Sequence, residues 1–568
     1  MDYNSNYFRW LNSSKVDEKT KDELRRMSEA ETKDAFFKDV EFGTGGLRGL
    51  LGPGTNRLNL FTIRRVSIGF GLYLKNRHDD ALSRGIVISH DNRFFSREFT
   101  LEAANIFSKM GFKVYIFDDL RPTPELSFAV RYLNCVGGVM ITASHNSKEY
   151  NGYKVYEYHG CQCVPSEASE IIKEINKLDN ELDVVVPEAK QEGGVTVLDS
   201  KIDEEYCKLV EGIQIHPELS KKDFVVVYSP QHGASYESAM KVFDACGYNI
   251  VPVKEQAVHD PKFGATKSPN PEIEEAWELP LEYAKKYKAD IALMTDPDGD
   301  RCGLAYLSSK GTYERLTGNQ SGALLMDYIF NFYKESGKMP QNPVMYDTIV
   351  TSSMGREVAK YYGVANESFL TGFKFIGQRI DYYEDLKKGP TFLFGYEESY
   401  GCLIAPFVRD KDGVQAILLY AEMCLYYKSK GLRLDEAFHN LQKKIGFFYT
   451  DLKTKYFEGM EGYMTMVALM KKLHETTIKE INGNKIVAIE DYLNQVINYS
   501  DGGSKKIEGL PKSDVIKYVF EDKSTFTIRP SGTEPKMKFY IEVVGKEHDN
   551  LPNKSNALFE EFKKIMEL

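Results

Sequence analysis

GIVISHDNRFFS (85–96) runs through EFTLEAANIFSKM (98–110) and Gly111 into FKVYIF (112–117). An apolar run, a polar loop, an amphipathic stretch, a glycine and a second apolar run form one βαβ unit. The same order returns twice. FVVVYSPQHG (224–233) leads through ASYESAMKVFDAC (234–246) and Gly247 to YNIVPV (248–253). PVMYDTIVTS (343–352) leads through SMGREVAKYY (353–362) and Gly363 to a short strand near residue 368. Glycine after each helix is the expected C-terminal stop. Three copies predict three related α/β domains.

Outside the repeats the pattern changes. FTIRP (526–530) and MKFYIEVV (537–544) read as two strands joined by a loop, and NKSNALFEEFKKIMEL at the end reads as an amphipathic helix. This predicts a fourth, α+β domain. The first forty residues read as a polar helical extension. Segment 179–202 mixes charge, Pro and Gly and reads as the approach to a domain boundary. The expected domains are 1–205, 206–322, 323–455 and 456–568. A chain of 568 residues is long enough for roughly three to five units.

Composition sets outer bounds. There are 73 basic and 83 acidic residues, a net charge of −10, which argues against nucleic acid as the main partner. No stretch approaches the roughly 20 apolar residues of a membrane helix. The eight cysteines are scattered, and only Cys161 and Cys163 are close. They read as free thiols in a reducing compartment. The N-terminus shows no basic-then-apolar leader. The expected location is the cytoplasm.

Four loops carry chemistry. TASHNSKEYNGYK (142–154) follows the strand GGVMI, so Ser144 stands where a strand ends. A loop hydroxyl bonded to backbone is the alternative. The hydrolase elbow Gly-x-Ser-x-Gly is absent here. DPDGDR (296–301) alternates Asp296, Asp298 and Asp300, and on an extended chain such side chains face one way. Clustered carboxylates call for a cation, and all-oxygen ligands suit Mg²⁺ or Ca²⁺. An acidic turn without metal is the alternative. An EF-hand is ruled out because Leu307 stands where its last Glu belongs. GYEESYG (395–401) sets Glu397 and Ser399 two apart, a pair suited to sugar hydroxyls, with Lys411 shortly after in VRDKDG. RPSGTEPK (529–536) offers Arg529, Ser531, Thr533 and Lys536, with Gly532 letting backbone N–H groups turn inward as a phosphate cradle.

TASHN, DPDGDR, GYEES and RPSGTEPK, in this order, resemble the α-D-phosphohexomutases; FGTGGLRG (42–49) and TGFKFIG (371–377) add to the match. The resemblance runs from about residue 40 to the end. It is nearest the branch of longer phosphoglucomutases and phosphopentomutases. It implies three related α/β domains of mixed sheets flanked by helices plus a C-terminal α+β domain, arranged around a central active-site cleft. It implies that Ser144 carries a phosphoryl group. Asp296, Asp298 and Asp300 match metal ligands, with a phosphoserine oxygen as another, for one Mg²⁺ per chain. Arg301 matches a residue facing the phosphoryl group. Glu397 and Ser399 match the pair that holds sugar hydroxyls. Arg529, Ser531, Gly532 and Thr533 match the distal phosphate site. Arg48, His145, Lys154, Thr371, Lys374 and Lys411 match active-site or substrate-contacting positions.

The expected reaction interconverts glucose 1-phosphate and glucose 6-phosphate through glucose 1,6-bisphosphate. Lys154, with a pKa depressed by nearby cations, is the expected base, and His145 is the second candidate. Phosphopentomutase and phosphomannomutase are the alternatives in the same family. A non-catalytic sugar-phosphate-binding protein is the alternative of another class. The expected partners are hexose phosphates, with no nucleic acid and no membrane, for a monomer or homodimer.

Overall fold

A computed structural model of the chain describes residues 2–43, 45–386, 389–457, 459–531 and 536–566. By packing it divides into two units. The first is Met1–Gly318, Pro340–Asn342 and Phe373–Leu434; the second is Asn319–Met339, Pro343–Gly372 and Asp435–Leu568.

In the first unit, strand Ile86–His90 pairs in parallel with Val114–Ile116 and with Gly137–Ile141. Helix Ser96–Lys109 makes the crossover, and Gly111 turns the chain at φ 93°. Ile86–His90 and Gly137–Ile141 are buried along their whole length, as expected of strands covered on both faces. Ile88 and Val139 of these strands share a core with Phe70 and Phe107. Beyond Gly137–Ile141 the sheet turns antiparallel, adding Tyr150–Glu157 and then Gly46–Leu50.

The second repeat follows the same plan. Val225–Ser229 lies parallel to Asn249–Pro252 and to Ile291–Thr295, with helix Tyr236–Ala245 crossing over. Ile291–Thr295 then folds back as a hairpin onto Cys302–Leu307, with Thr295 opposite Cys302. Strand Thr391–Tyr396 and its antiparallel partner Cys402–Leu403 also belong to the first unit.

The second unit holds the third repeat. Pro343–Thr348 pairs in parallel with Ala365–Phe369, joined by helix Ser353–Tyr362 and a left-handed Gly363 at φ 70°. Its C-terminal sheet is antiparallel, running Phe447–Tyr456, Lys536–Gly545, Thr525–Pro530, Ile516–Phe520, Asn484–Asp491. Helix Leu551–Met566 buries Leu558 and Phe562 against Phe526 and Phe539. Three related α/β domains and a distinct α+β end are thereby borne out.

One sequence expectation needs amending and one gains a detail. The first forty residues do fold as helices, Tyr3–Asn12, Glu18–Arg26 and Glu29–Phe36, each opened by a capping Asp2, Asp17 or Ser28. They are not merely polar. Trp10, Val16, Leu24, Ala35 and Phe36 close around Leu182 as a small separate core. Widely spaced apolar residues on short helices hid this cluster. Within 179–202, Val195–Val197 pairs with Val114–Ile116 as an exposed edge strand. Three residues are too few for a period to show.

Trp10 is wholly buried and its Nε1 donates to Glu181 Oε1 at 2.6 Å. Trp10→Ala removes the centre of that small core. We expect a loss of about 3–5 kcal/mol, read as an earlier first transition in urea unfolding followed by circular dichroism.

Candidate active site

The serine loop and the aspartate loop both occupy turns between a buried strand and its antiparallel neighbour. Ser144 lies between Gly137–Ile141 and Tyr150–Glu157. Its backbone is left-handed at φ 52°, a conformation an L-residue adopts only when its surroundings impose it. Ser144 N–H donates to Thr142 Oγ1 at 2.8 Å, and Thr142 Oγ1 donates to Asp91 Oδ2 at 2.7 Å. Gly152 allows the opposite strand to pass, since a Cβ there would stand 2.3 Å from the Thr142 carbonyl oxygen.

The loop is clamped from within by Arg93. Its guanidinium donates to the carbonyls of Ser144 and Asn146, both at 2.6 Å, and to those of Ser147 and Tyr150 at 2.7 and 3.0 Å. Asp91 pairs with it at 3.0 Å, and both side chains are fully buried. One fixed planar fork therefore sets the path of the whole serine loop. Asp91 and Arg93 were not singled out from sequence. Their signal was position: HDNR directly follows Ile86–His90, where ligand-facing loops of such sheets arise.

In DPDGDR, Gly299 makes the turn at φ 71°, and a Cβ there would meet Ser235 Oγ at 2.1 Å. Asp296, Asp298 and Asp300 are buried and present one oxygen each within 4.8 Å of one another. Ser144 Oγ donates to Asp296 Oδ2 at 3.0 Å and lies 3.2 Å from His145 Nδ1. Lys154 Nζ donates to Asp298 Oδ2 at 2.6 Å and to Asp300 Oδ2 at 3.4 Å. Lys411 reaches Asp300 Oδ2 at 3.2 Å and Glu397 Oε2 at 3.8 Å. Arg301 donates its backbone N–H to Asp296 Oδ1 at 3.0 Å, and its guanidinium pairs with Glu272 at 2.8 Å. Thr123 Oγ1 donates to Asp298 at 3.2 Å.

Charge accounts for the electrostatics. Burial, then Asp298 and Asp300, raises the Asp296 carboxyl well above its usual range. Asp300 is buried too, but Lys411, Lys154 and Arg301 outweigh that and hold it well below the usual carboxylate range. Asp298 Oδ1 and Asp300 Oδ1 are buried and take no hydrogen bond among the described residues. Two orphaned carboxylate oxygens beside a third carboxylate are a fitting set for a hard divalent cation.

Lys154 faces carboxylates as well as cations. The sequence expectation assumed neighbouring cations that would depress the amine. Burial does oppose its charge, but Asp298 and Asp300 prevail and raise its pKa.

The remaining expected residues are distributed as follows. Arg48 lies on Gly46–Leu50 and donates to Asn146 Oδ1 at 3.1 Å. Ser399 shares the turn of Glu397, whose N–H donates to the Gly401 carbonyl at 2.9 Å. Lys374 opens helix Lys374–Leu386 and is buried. Thr371, Arg529, Ser531 and Lys536 fall in the second unit. There Ser531 N–H donates to the Lys536 carbonyl at 2.8 Å, and Lys536 Nζ lies over the Tyr456 ring. Gly532 and Thr533 lie outside the described residues. A cavity of about 270 Å³, lined in part by Lys148, Lys262 and Lys267, opens beside His145.

Comparison with known proteins agrees with this layout. Four domain models of phosphoglucomutase/phosphomannomutase match: α/β/α domain I at 39–182, domain II at 204–308, domain III at 317–445 and the C-terminal domain at 475–550. A phosphoglucomutase of Staphylococcus aureus is 36% identical over 536 residues, 94% of this chain and 95% of its own. One from Staphylococcus haemolyticus is 36% identical over 511 residues, 89% of this chain and 91% of its own. Among solved structures, parafusin of Paramecium, a phosphoglucomutase in open form, superposes with a TM-score of 0.68 at 20% identity, covering 93% and 95% of the two chains. A phosphoglucomutase/phosphomannomutase family protein of Burkholderia thailandensis gives 0.66 at 17% identity, covering 93% and 97%. The chain belongs to the phosphoglucomutase/phosphomannomutase family of enzymes.

Arg93 touches no reacting group, yet it fixes the serine loop. Arg93→Met is expected to lower kcat by about 10²-fold while KM for a sugar phosphate changes little. Equal losses in kcat and in substrate affinity, measured in a coupled mutase assay, would contradict that positioning role.

Proposed function

We propose that the chain is a phosphoglucomutase, interconverting α-D-glucose 1-phosphate and glucose 6-phosphate through a phosphoserine at Ser144. The observation that carries this reading is Ser144 Oγ at 3.0 Å from Asp296, within the buried trio of aspartates. A hydroxyl poised at an acidic cluster suits phosphoryl storage, where alignment and charge neutralisation do most of the work.

In the first half-reaction the bond from phosphorus to Ser144 Oγ breaks and a bond to the free sugar hydroxyl forms, giving glucose 1,6-bisphosphate. In the second, the other phosphate returns to Ser144. When bound, one Mg²⁺ held by Asp296, Asp298, Asp300 and a phosphoserine oxygen would offset the charge of the travelling group. Lys154, Lys411 and Arg301 surround the same carboxylates and supply further positive charge. Lys154, bonded to Asp298 and Asp300, serves first as charge and proton donor. His145 becomes the leading proton acceptor, with Nδ1 3.2 Å from Ser144 Oγ.

Glu397 accepts sugar hydroxyls, with Ser399 beside it, and Arg48, Thr371 and Lys374 complete the substrate contacts. Arg529, Ser531, Gly532, Thr533 and Lys536 hold the phosphate that is not reacting. We assign the domains to 1–205, 206–322, 323–455 and 456–568, and the work to the cytoplasm. Among the described residues no helix is long and apolar enough to cross a membrane.

Ser144→Ala should abolish turnover while leaving glucose 6-phosphate binding largely intact. Incubating the native chain with glucose 1,6-bisphosphate should add one phosphoryl group by intact mass, and the variant should gain none. Turnover by the variant would end the phosphoserine reading. Parallel assays with ribose 1-phosphate and mannose 1-phosphate separate the sister activities.

Asp298→Asn should raise the Mg²⁺ concentration needed for half-maximal rate by about tenfold or more. An unchanged metal requirement would remove Asp298 from the ligand set.

A further inference from the structure

A second group of metal-ligating side chains gathers in the first unit, around residues the reaction does not use. Glu157 ends strand Tyr150–Glu157, Cys163 precedes helix Pro165–Asn176, and Glu167 lies in the first turn of that helix. Their ligand atoms all lie within 4.8 Å of one another, and all three residues are buried. His78 caps helix Leu60–Arg77 at its C-terminus, and its Nε2 stands 4.0 Å from Glu157 Oε2.

The hydrogen bonding is one-sided. Tyr73 OH donates to Glu157 Oε1, and Val164 N–H donates to Glu167 Oε2 at 2.9 Å. Each carboxylate is thus oriented by one donor. Glu157 Oε2 and His78 Nε2 are buried and take no hydrogen bond among the described residues. The Glu157 side chain is only 1% exposed. Arg77 stays 3.8 Å or more from both carboxylates and is half exposed, so it offsets their charge only in part.

The 4.0 Å between His78 Nε2 and Glu157 Oε2 is an ion-pair distance when the imidazole is protonated and is too wide for a hydrogen bond. Two ligands bonded at about 2.0–2.1 Å to one tetrahedral ion stand about 3.3–3.4 Å apart, so His78 has to close on Glu157 by roughly half an ångström to share an ion with it. The donor set is one sulfur, one imidazole nitrogen and two carboxylates. Such a set selects a borderline transition metal rather than Mg²⁺.

We propose that Glu157, Cys163 and Glu167 form the core of a second metal site, structural in character, for a zinc-like divalent ion, with His78 closing in as the fourth ligand. Binding forms four ligand bonds, and the Cys163 Sγ–H proton leaves to solvent. Tyr73 acts behind Glu157 as an orienting partner. The ion would tie the end of one helix to the end of the strand that carries Lys154 and to the start of the next helix.

The test uses the full chain, stripped with chelator and then saturated with Mg²⁺. Co²⁺ is the probe, because a thiolate ligand gives it a near-ultraviolet charge-transfer band. The aspartate trio has only oxygen donors and gives none, so this result is independent of the mutase assay. We expect the band to saturate at one equivalent, to vanish in Cys163→Ser with Mg²⁺-dependent turnover retained, and to persist in Cys246→Ser. His78→Ala and Glu167→Gln should weaken Co²⁺ by more than about tenfold. No band in the native chain, or a band that survives Cys163→Ser, overturns the proposal. If Cys163→Ser does not fold, unchanged Co²⁺ affinity in Glu167→Gln overturns it instead.

Discussion

Three carboxylates with oxygens inside 4.8 Å, in a turn almost closed to water, repel one another at short range and in a medium that screens poorly. Positive charge must meet them, and the first unit brings it from separate segments. Lys154 comes from the strand after the serine loop, Lys411 from the segment after GYEESYG, and Arg301 from the aspartate turn itself. Even so, two carboxylate oxygens stay without a donor. That remainder is what an acidic turn built to take a cation would leave open.

The same constraint explains where the serine stands. Its hydroxyl must reach the aspartates. Arg93, pinned by Asp91, achieves this through carbonyls alone, so the guanidinium spends its donors on the backbone and leaves Ser144 Oγ free to face Asp296. The left-handed backbone at Ser144 is the visible cost of that placement. Strain of this kind persists because Thr142, Asp91 and Arg93 together over-determine the loop.

How much could be read beforehand follows from the range of each signal. The βαβ copies were legible because strand, helix and glycine stop lie within about thirty residues, and the structure returns them as parallel pairs closed by Gly111, Gly247 and Gly363. Asp296, Asp298 and Asp300 were legible because their alternation is local. The Arg93 clamp was not, since its carbonyl partners lie some fifty residues away and are side-chain independent. Nor was the state of Lys154, which depends on carboxylates 144 and 146 residues distant. The cluster around Trp10 was hidden for the same reason, its last member being Leu182.

Ligand softness connects these observations. The aspartate trio offers only hard oxygens and suits an ion that keeps exchanging partners with phosphate. The set at His78, Glu157, Cys163 and Glu167 mixes sulfur, nitrogen and oxygen and would hold its ion with no substrate position left open. Two sites so different in donor type need not compete for the same ion. Chain geometry joins them, because Lys154 and Glu157 share one strand, three residues apart. Residues an odd number apart on a strand point to opposite faces. One strand can therefore present an ammonium to the aspartates on one side and a carboxylate to the second cluster on the other, keeping each set of charges out of the other's field.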